Sequence, residues 1–184
     1  MDYLSALSKI LTLIDREGIT PQVSRVPRLN LDRISRFLEL LGDPHIGIPT
    51  IHVAGTKGKG STVAMCTSVL AAQGYESGMY ISPHLHTFRE RMCLNLNPIT
   101  ENEFPLLVEK IWPFVEDVDS SGDLGRVTVF EFLTAMAFSY FNDNLVDSQV
   151  VEVGLGGRLD ATNVFESSIP VITAIDLDHT AILG

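Results

Sequence analysis

The chain has 184 residues, 45% of them hydrophobic and 20% charged, which is enough material for a sizeable core and an ordinary composition for a globular protein. Its formal net charge of −10 argues against a nucleic-acid surface, because phosphate backbones reward clustered Lys and Arg. A polyanionic ligand would need a local basic site set against that acidic background.

The first segment carries Leu4, Leu7, Leu11 and Ile14 at helical spacing, so a helix is expected with this stripe inward and Gly18 as its stop. The same segment is amphipathic and acidic, without the basic start and apolar block of a signal peptide, and no apolar run spans a bilayer. The expectation is therefore a cytoplasmic protein with no membrane partner. Residues 18–29 hold two prolines and no period, and read as a loop; its Arg25 and Arg28 are either anion contacts or solvated charges. Asn30 is placed to cap a second helix with Leu31, Ile34, Leu38 and Leu41 inward, stopped by Gly42-Asp43-Pro44.

Thr50–Ala54 reads as a short strand, Gly55–Gly60 as a glycine-rich turn, Ser61–Gln73 as a helix and Tyr75–Ile81 as a second strand. Such a unit implies parallel strands. Residues 82–100 look irregular, and the two histidines His84 and His86 within them suggest a mobile substrate loop more than a metal pair. A helix is expected over 101–116, with Pro105 tolerated near its start, and a polar loop over 117–126. Thr128–Phe141 is apolar almost all round, which suggests a helix buried against the sheet. Ser148–Val153 and Pro170–Ile175 read as two buried strands. The alternation gives an α/β fold with a mostly parallel sheet flanked by helices. The two cysteines, Cys66 and Cys93, have neither metal-ligand nor disulfide spacing and read as reduced thiols. The sequence ends just past a strand, at Gly184, without a closing helix, so the expectation is one incomplete domain over 1–184.

The strongest chemical signal is Ile51-His52-Val53-Ala54-Gly55-Thr56-Lys57-Gly58-Lys59-Gly60-Ser61-Thr62. Glycines let backbone N–H groups curl round a phosphate, and a helix N-terminus adds its positive end. Lys59 would reach the outer phosphates, and Ser61 or Thr62 would lie near magnesium. The strict phosphate-loop pattern is broken twice: Val53 stands at its first glycine and Gly60 at its Ser/Thr position. The strand before and the helix after still favour a nucleotide over a plain flexible turn. Glu152 sits in the apolar run Val150–Val153, where a carboxylate is costly unless it is paired or binds metal.

The run HVAGTKGKGST resembles the nucleotide loop of the Mur ligase superfamily, and its Gly-Lys-Gly-Ser ending resembles the folylpolyglutamate synthase/dihydrofolate synthase branch. Lys57 stands where many members carry Asn. Four further stretches follow in family order: Ile81-Ser82-Pro83-His84-Leu85 with Phe88-Arg89-Glu90-Arg91, Thr128-Val129-Phe130-Glu131-Phe132, the run Val151–Asn163 containing Gly-Gly-Arg-Leu-Asp-Ala-Thr-Asn, and Leu177-Asp178-His179.

The resemblance implies a P-loop-containing, Mur-ligase-like domain that binds ATP on Gly55, Thr56, Lys57, Gly58, Lys59, Gly60, Ser61 and Thr62. It implies magnesium held by Ser82, Glu152 and His179, with Lys59, Glu152 and His179 as the catalytic set. It places Phe130, Leu159, Asp160 and Ala161 near a pterin-bearing substrate. The implied reaction is ATP-dependent addition of L-glutamate to a folate or dihydropteroate carboxylate through an acyl phosphate, by a monomer that does not bind nucleic acid. Full members of the family are longer, with a second α/β domain and a downstream carbamylated lysine, so the chain alone is expected to be inactive as a ligase. Two alternatives remain at this level: another Mur-type amide ligase, and a non-catalytic nucleotide-binding remnant.

Overall fold

The computed structural model describes residues 1–18 and 31–180. Helices α1 (Tyr3–Gly18) and α2 (Leu31–Leu40) precede strand β1 (Thr50–Ala54), helix α3 (Lys59–Ala72) and strand β2 (Ser77–Tyr80). A short 3-10 turn (Phe88–Arg91), strands β3 (Met92–Leu94) and β4 (Asn97–Pro98), and helices α4 (Glu103–Ser121) and α5 (Val129–Asp143) follow. Strands β5 (Ser148–Glu152) and β6 (Ile169–Ile172) complete the order.

The six strands form one sheet in the order β4-β3-β2-β5-β1-β6. β2, β5, β1 and β6 run parallel, while β3 and β4 are antiparallel. The sheet's two faces are read from adjacent residues. Val151 and Tyr80 join a large core with Phe37, Phe104, Phe132, Phe138 and Phe141, built from α1, α2, α4 and α5. Val150, Met79 and Val53 join a small cluster under α3, with Val63 and Cys93. Alternation of side chains along each strand produces this split.

The helix expected first is present, but with the other stripe inward. Leu4, Leu11 and Ile14 are exposed, whereas Ala6, Ile10 and Leu13 are buried. Both series have helical spacing, so periodicity alone could not choose between them. Tyr3 settles the choice: its ring packs edge-on to Phe104 at 5.1 Å, and its hydroxyl lies 2.7 Å from Thr87 Oγ1. The expected loop at 18–29 with Arg25 and Arg28, the cap at Asn30 and the last residues 181–184 fall outside the described residues, apart from Gly18, which closes α1.

Residues 82–100 are not irregular. Thr87 and Glu90 form a capping box for the 3-10 turn, and Glu90 also accepts from the Leu85, His86 and Thr87 amides at 2.8–2.9 Å. β3 and β4 then make a hairpin whose central residues Asn95 (φ 47) and Leu96 (φ 69) are both left-handed. Positive φ at both positions is the geometry of a type I′ turn, which the right-handed twist of paired strands favours. The helix expected over 101–116 continues to Ser121 through Pro113, so the first half of the expected polar loop is helical. β5 is buried throughout, as expected, but β6 is an edge strand with Ile169 and Ile172 exposed.

Candidate functional site

The site forms where the parallel strands end. β1 runs into Gly55, β2 into Ser82, and β5 ends at Glu152, which is level with Val53 across the sheet. In open α/β sheets this carboxyl edge is where ligands bind.

Gly58 caps α3 with φ 83, a left-handed backbone that glycine adopts without cost. The first three amides of α3, those of Lys59, Gly60 and Ser61, lack intrahelical acceptors and sit at the positive end of the helix. The Lys59 ammonium folds back to donate to the Gly55 carbonyl at 2.9 Å, so the cation is held inside the loop's curve. Not every loop amide is available to a phosphate. Those of Thr56 and Lys57 donate to the Ala174 carbonyl at 2.8 and 3.3 Å, tying the loop to the chain beyond β6. The Thr56 hydroxyl donates to the Asp176 carbonyl at 3.0 Å. Thr62 turns its hydroxyl to the Gly58 carbonyl at 2.9 Å, and Ser61 is exposed. Lys57 points outward and meets Asp178 at 4.0 Å.

Glu152 is buried at this junction. Its Oε2 accepts from the Ser82 amide at 3.0 Å, and the Gly60 amide also donates to the carboxylate. Burial pushes its carboxyl pKa up, while the Ser82 amide, Lys59, the Gly60 amide and Arg91 pull the other way without cancelling the rise. A carboxylate kept in a poorly hydrated place beside a lysine and a helix N-terminus is suited to a cation. Magnesium keeps several waters and needs only one or two protein oxygens when a ligand's phosphates supply others. Glu152 with the adjoining Ser82 meets that requirement.

His179 makes no hydrogen bond or ion pair with Lys59, Ser82 or Glu152. It is exposed, with φ 49, and its backbone N–H and ring both address Asp178. Among the described residues, no group of three or more His, Cys, Asp and Glu side chains is set to hold an ion.

The second half of the site is the loop after β5. Phe130, at the start of α5, packs so closely on Gly154 that an added Cβ there would sit 2.4 Å from the ring. Glycine at 154 is thus required by a close approach. Phe130 also lies 6.2 Å from the Tyr80 ring, centre to centre. Asp160 is buried and both its oxygens are engaged within the protein. Oδ2 accepts from the Leu155 amide at 2.7 Å, and Oδ1 from the Thr162 amide and hydroxyl at 3.0 and 2.6 Å. Arg158 does not pair with it; the Arg158 carbonyl instead accepts from Asn163 at 3.1 Å. Ala161 is buried, and Leu159 is exposed on the loop surface.

Two features were missed by sequence reasoning. Arg91 lies close enough to Glu152 and Tyr80 to shift both, and donates to His84 Nδ1 at 3.0 Å. The His84 ring packs on Phe88 at 4.3 Å, tilted by 41°, so the histidine is a fixed part of the loop; burial and the Arg91 charge lower its pKa. The second is His52, joined to Thr162 at 2.8 Å. The pair T-x-x-E at Thr87–Glu90 was a readable signal for the first, whereas nothing in the sequence links His52 to Thr162.

No family model matches the chain. It is 46% identical over 155 residues to the dihydrofolate synthase/folylpolyglutamate synthase of Bacillus subtilis, covering 84% of this chain and 36% of that protein. The folylpolyglutamate synthase of Mycobacterium tuberculosis, solved with ADP and AMPPCP, superposes with a TM-score of 0.86 at 38% identity, covering 100% of this chain and 39% of that one. A folylpolyglutamate synthase solved with AMPPCP and folate gives a TM-score of 0.86 at 34% identity, covering 100% of this chain and 43% of that one. The chain thus spans well under half the length of the proteins it matches.

Proposed function

We propose that this chain, which belongs to the folylpolyglutamate/dihydrofolate synthase family and matches the N-terminal part of its members, supplies the ATP and magnesium side of a carboxylate–amine ligase. The observation that carries this is the convergence of Lys59, Glu152 and Ser82 at the ends of β1, β5 and β2. Residues 1–184 act on this reading as a Mur-ligase-like ATP-binding domain.

ATP lies on Gly55–Thr62 with its outer phosphates at Lys59 and the first amides of α3. Ser82 and Glu152, with His179 brought in from the exposed tail, would hold magnesium, which would supply positive charge against the phosphates. A carboxylate oxygen of dihydropteroate or a reduced folate attacks the γ-phosphorus, the bond to the β-phosphate oxygen breaks, and ADP leaves. The amine of L-glutamate then attacks the acyl carbon, phosphate departs, and the amine's protons pass to solvent. The protein need not supply a nucleophile. Its contribution is positioning and charge neutralisation, the usual source of rate in phosphoryl transfer. Phe130, Leu159, Asp160 and Ala161 shape the pterin side, with Asp160 acting through the loop it holds.

The test is calorimetric titration of the purified protein with magnesium–ATP and then with dihydropteroate and a reduced folate, alongside an assay of ADP release coupled to glutamate incorporation. The reading expects nucleotide binding that requires Lys59, and pterin binding strengthened by nucleotide. Absence of ATP binding overturns it. ATP binding with a preference for a cell-wall precursor over both pterins would assign another Mur-type ligase.

A further inference from the structure

His52 lies on β1, two residues before its end, and its ring faces away from α3. There it packs edge-on to Phe165, at 5.3 Å and 77°. Its Nε2 is 2.8 Å from Thr162 Oγ1. The Thr162 hydroxyl has one proton, and that proton goes to Asp160 Oδ1 at 2.6 Å. The threonine must therefore accept from His52, which fixes the histidine as its Nε2–H tautomer. Asp160 in turn holds the Leu155 amide at 2.7 Å. A chain of hydrogen bonds converging on the Asp160 carboxylate thus links the strand that delivers the phosphate loop to the start of the 154–161 loop. Every donor along it has one acceptor and every member is at least half-buried, so water competes poorly for the links.

We propose that His52 is a positioning residue: through Thr162 and Asp160 it fixes the 154–161 loop against β1, and so sets where Leu159 and Ala161 meet the pterin-bearing substrate. The last clause rests on the reading given under Proposed function; the positioning itself does not. Burial lowers the His52 pKa despite the nearby Asp160, and so favours the neutral ring. The Nε2 proton is present in either charge state, and the link therefore survives acidification.

The decisive variants are His52→Phe, which keeps an aromatic ring against Phe165 but removes the donor, and His52→Gln, whose carboxamide N–H reaches the Nε2 position. In His52→Phe, hydrogen exchange of the Leu155 and Thr162 amides should accelerate about tenfold, the factor set by losing one buried hydrogen bond. Amides within β5 should keep their protection. Affinity for dihydropteroate or reduced folate should fall about tenfold, with magnesium–ATP affinity changed less than about twofold. His52→Gln should restore both readouts, and Thr162→Val should reproduce the His52→Phe effects, with the double variant no worse than either single one. Unchanged exchange in His52→Phe and Thr162→Val, or a glutamine variant as impaired as phenylalanine, overturns the proposal. If the wild-type protein binds ATP but neither pterin, the substrate reading fails, and the exchange data still decide the role of His52.

Discussion

Three glycines of the phosphate loop are replaced by alanine at very different cost, and the order of those costs tests the loop geometry. At Gly55 the backbone has φ 134, and an added Cβ would stand 2.0 Å from Thr173 Oγ1 and 3.1 Å from Thr173 N. Backbone strain of about 1–3 kcal/mol adds to overpacking of similar size, so Gly55→Ala should cost about 4 kcal/mol. At Gly58 the φ is 83 and the added Cβ meets nothing within 4 Å, leaving only the left-handed penalty of about 1–2 kcal/mol. At Gly60 the φ is ordinary and the Cβ would lie 3.4 Å from Glu152 Oε2, an acceptable contact. Alanine there gains helix propensity of roughly 0.5–1 kcal/mol. With about 2–4 °C per kcal/mol for a chain of this size, Gly55→Ala should melt roughly 8–16 °C lower and Gly58→Ala roughly 2–8 °C lower. Gly60→Ala should melt at or above wild type. Adding Thr173→Ala to Gly55→Ala should recover part of the loss, since the 2.0 Å contact goes but the backbone contact and φ stay. The assay is thermal unfolding. A Gly55→Ala protein that melts above Gly58→Ala, or within about 1 °C of wild type, refutes the argument.

Lys59→Met should leave the fold intact and weaken magnesium–ATP binding roughly ten- to a hundredfold, the scale of one charge-assisted hydrogen bond, as read by titration. For Glu152 the folded-state pKa is raised by burial, so the folded protein holds that proton more tightly than the unfolded chain. Its contribution is fully present below the unfolded value of 4.5 and is lost as pH rises through the folded one. Glu152→Gln should therefore flatten the fall in melting temperature across that acidic window while abolishing magnesium dependence of nucleotide binding; an unchanged slope counts against a buried carboxylate. Glu131 accepts from Arg33 Nε at 2.8–2.9 Å and from the Thr128 amide and hydroxyl, deep between α2 and α5. Glu131→Ala should cost about 3–5 kcal/mol in denaturant unfolding, and the double change Arg33→Met/Glu131→Leu should be milder than the single one.

The glycine-rich turn at 55–60, the helix that leaves it and the central strands were legible because they rest on local rules: apolar runs, glycine at a turn, a strand feeding a helix. The stripe on α1 and the edge position of β6 were not, because each is decided by what lies across the fold. Tyr3 chooses the α1 face through Phe104, about 100 positions away, and Thr87, 84 positions away. The hairpin at 92–98 was hidden by Leu96, a residue that turn statistics do not favour at positive φ; Asn95, which both donates its amide to the Ser77 carbonyl at 2.9 Å and accepts from the Ser77 amide, pins the turn in place.

The same distinction runs through the site. Glu152 could be suspected from sequence, since a carboxylate in an apolar strand requires a reason, and the structure gives it two backbone donors and a lysine. Asp160 looks equally suspicious in sequence, but its two oxygens are satisfied by Leu155 and Thr162. A carboxylate so occupied has little capacity left for a ligand, so its influence must travel through the shape of the loop. On the proposed reading one acid meets the ligand directly, while the other holds its neighbours in place. Replacing Asp160 with Asn tests that division: it exchanges one acceptor for a donor facing either the Leu155 amide or Thr162. Pterin affinity and loop protection should then fall together, with ATP affinity retained. A loss of pterin affinity with loop exchange unchanged would instead place the Asp160 carboxylate on the substrate.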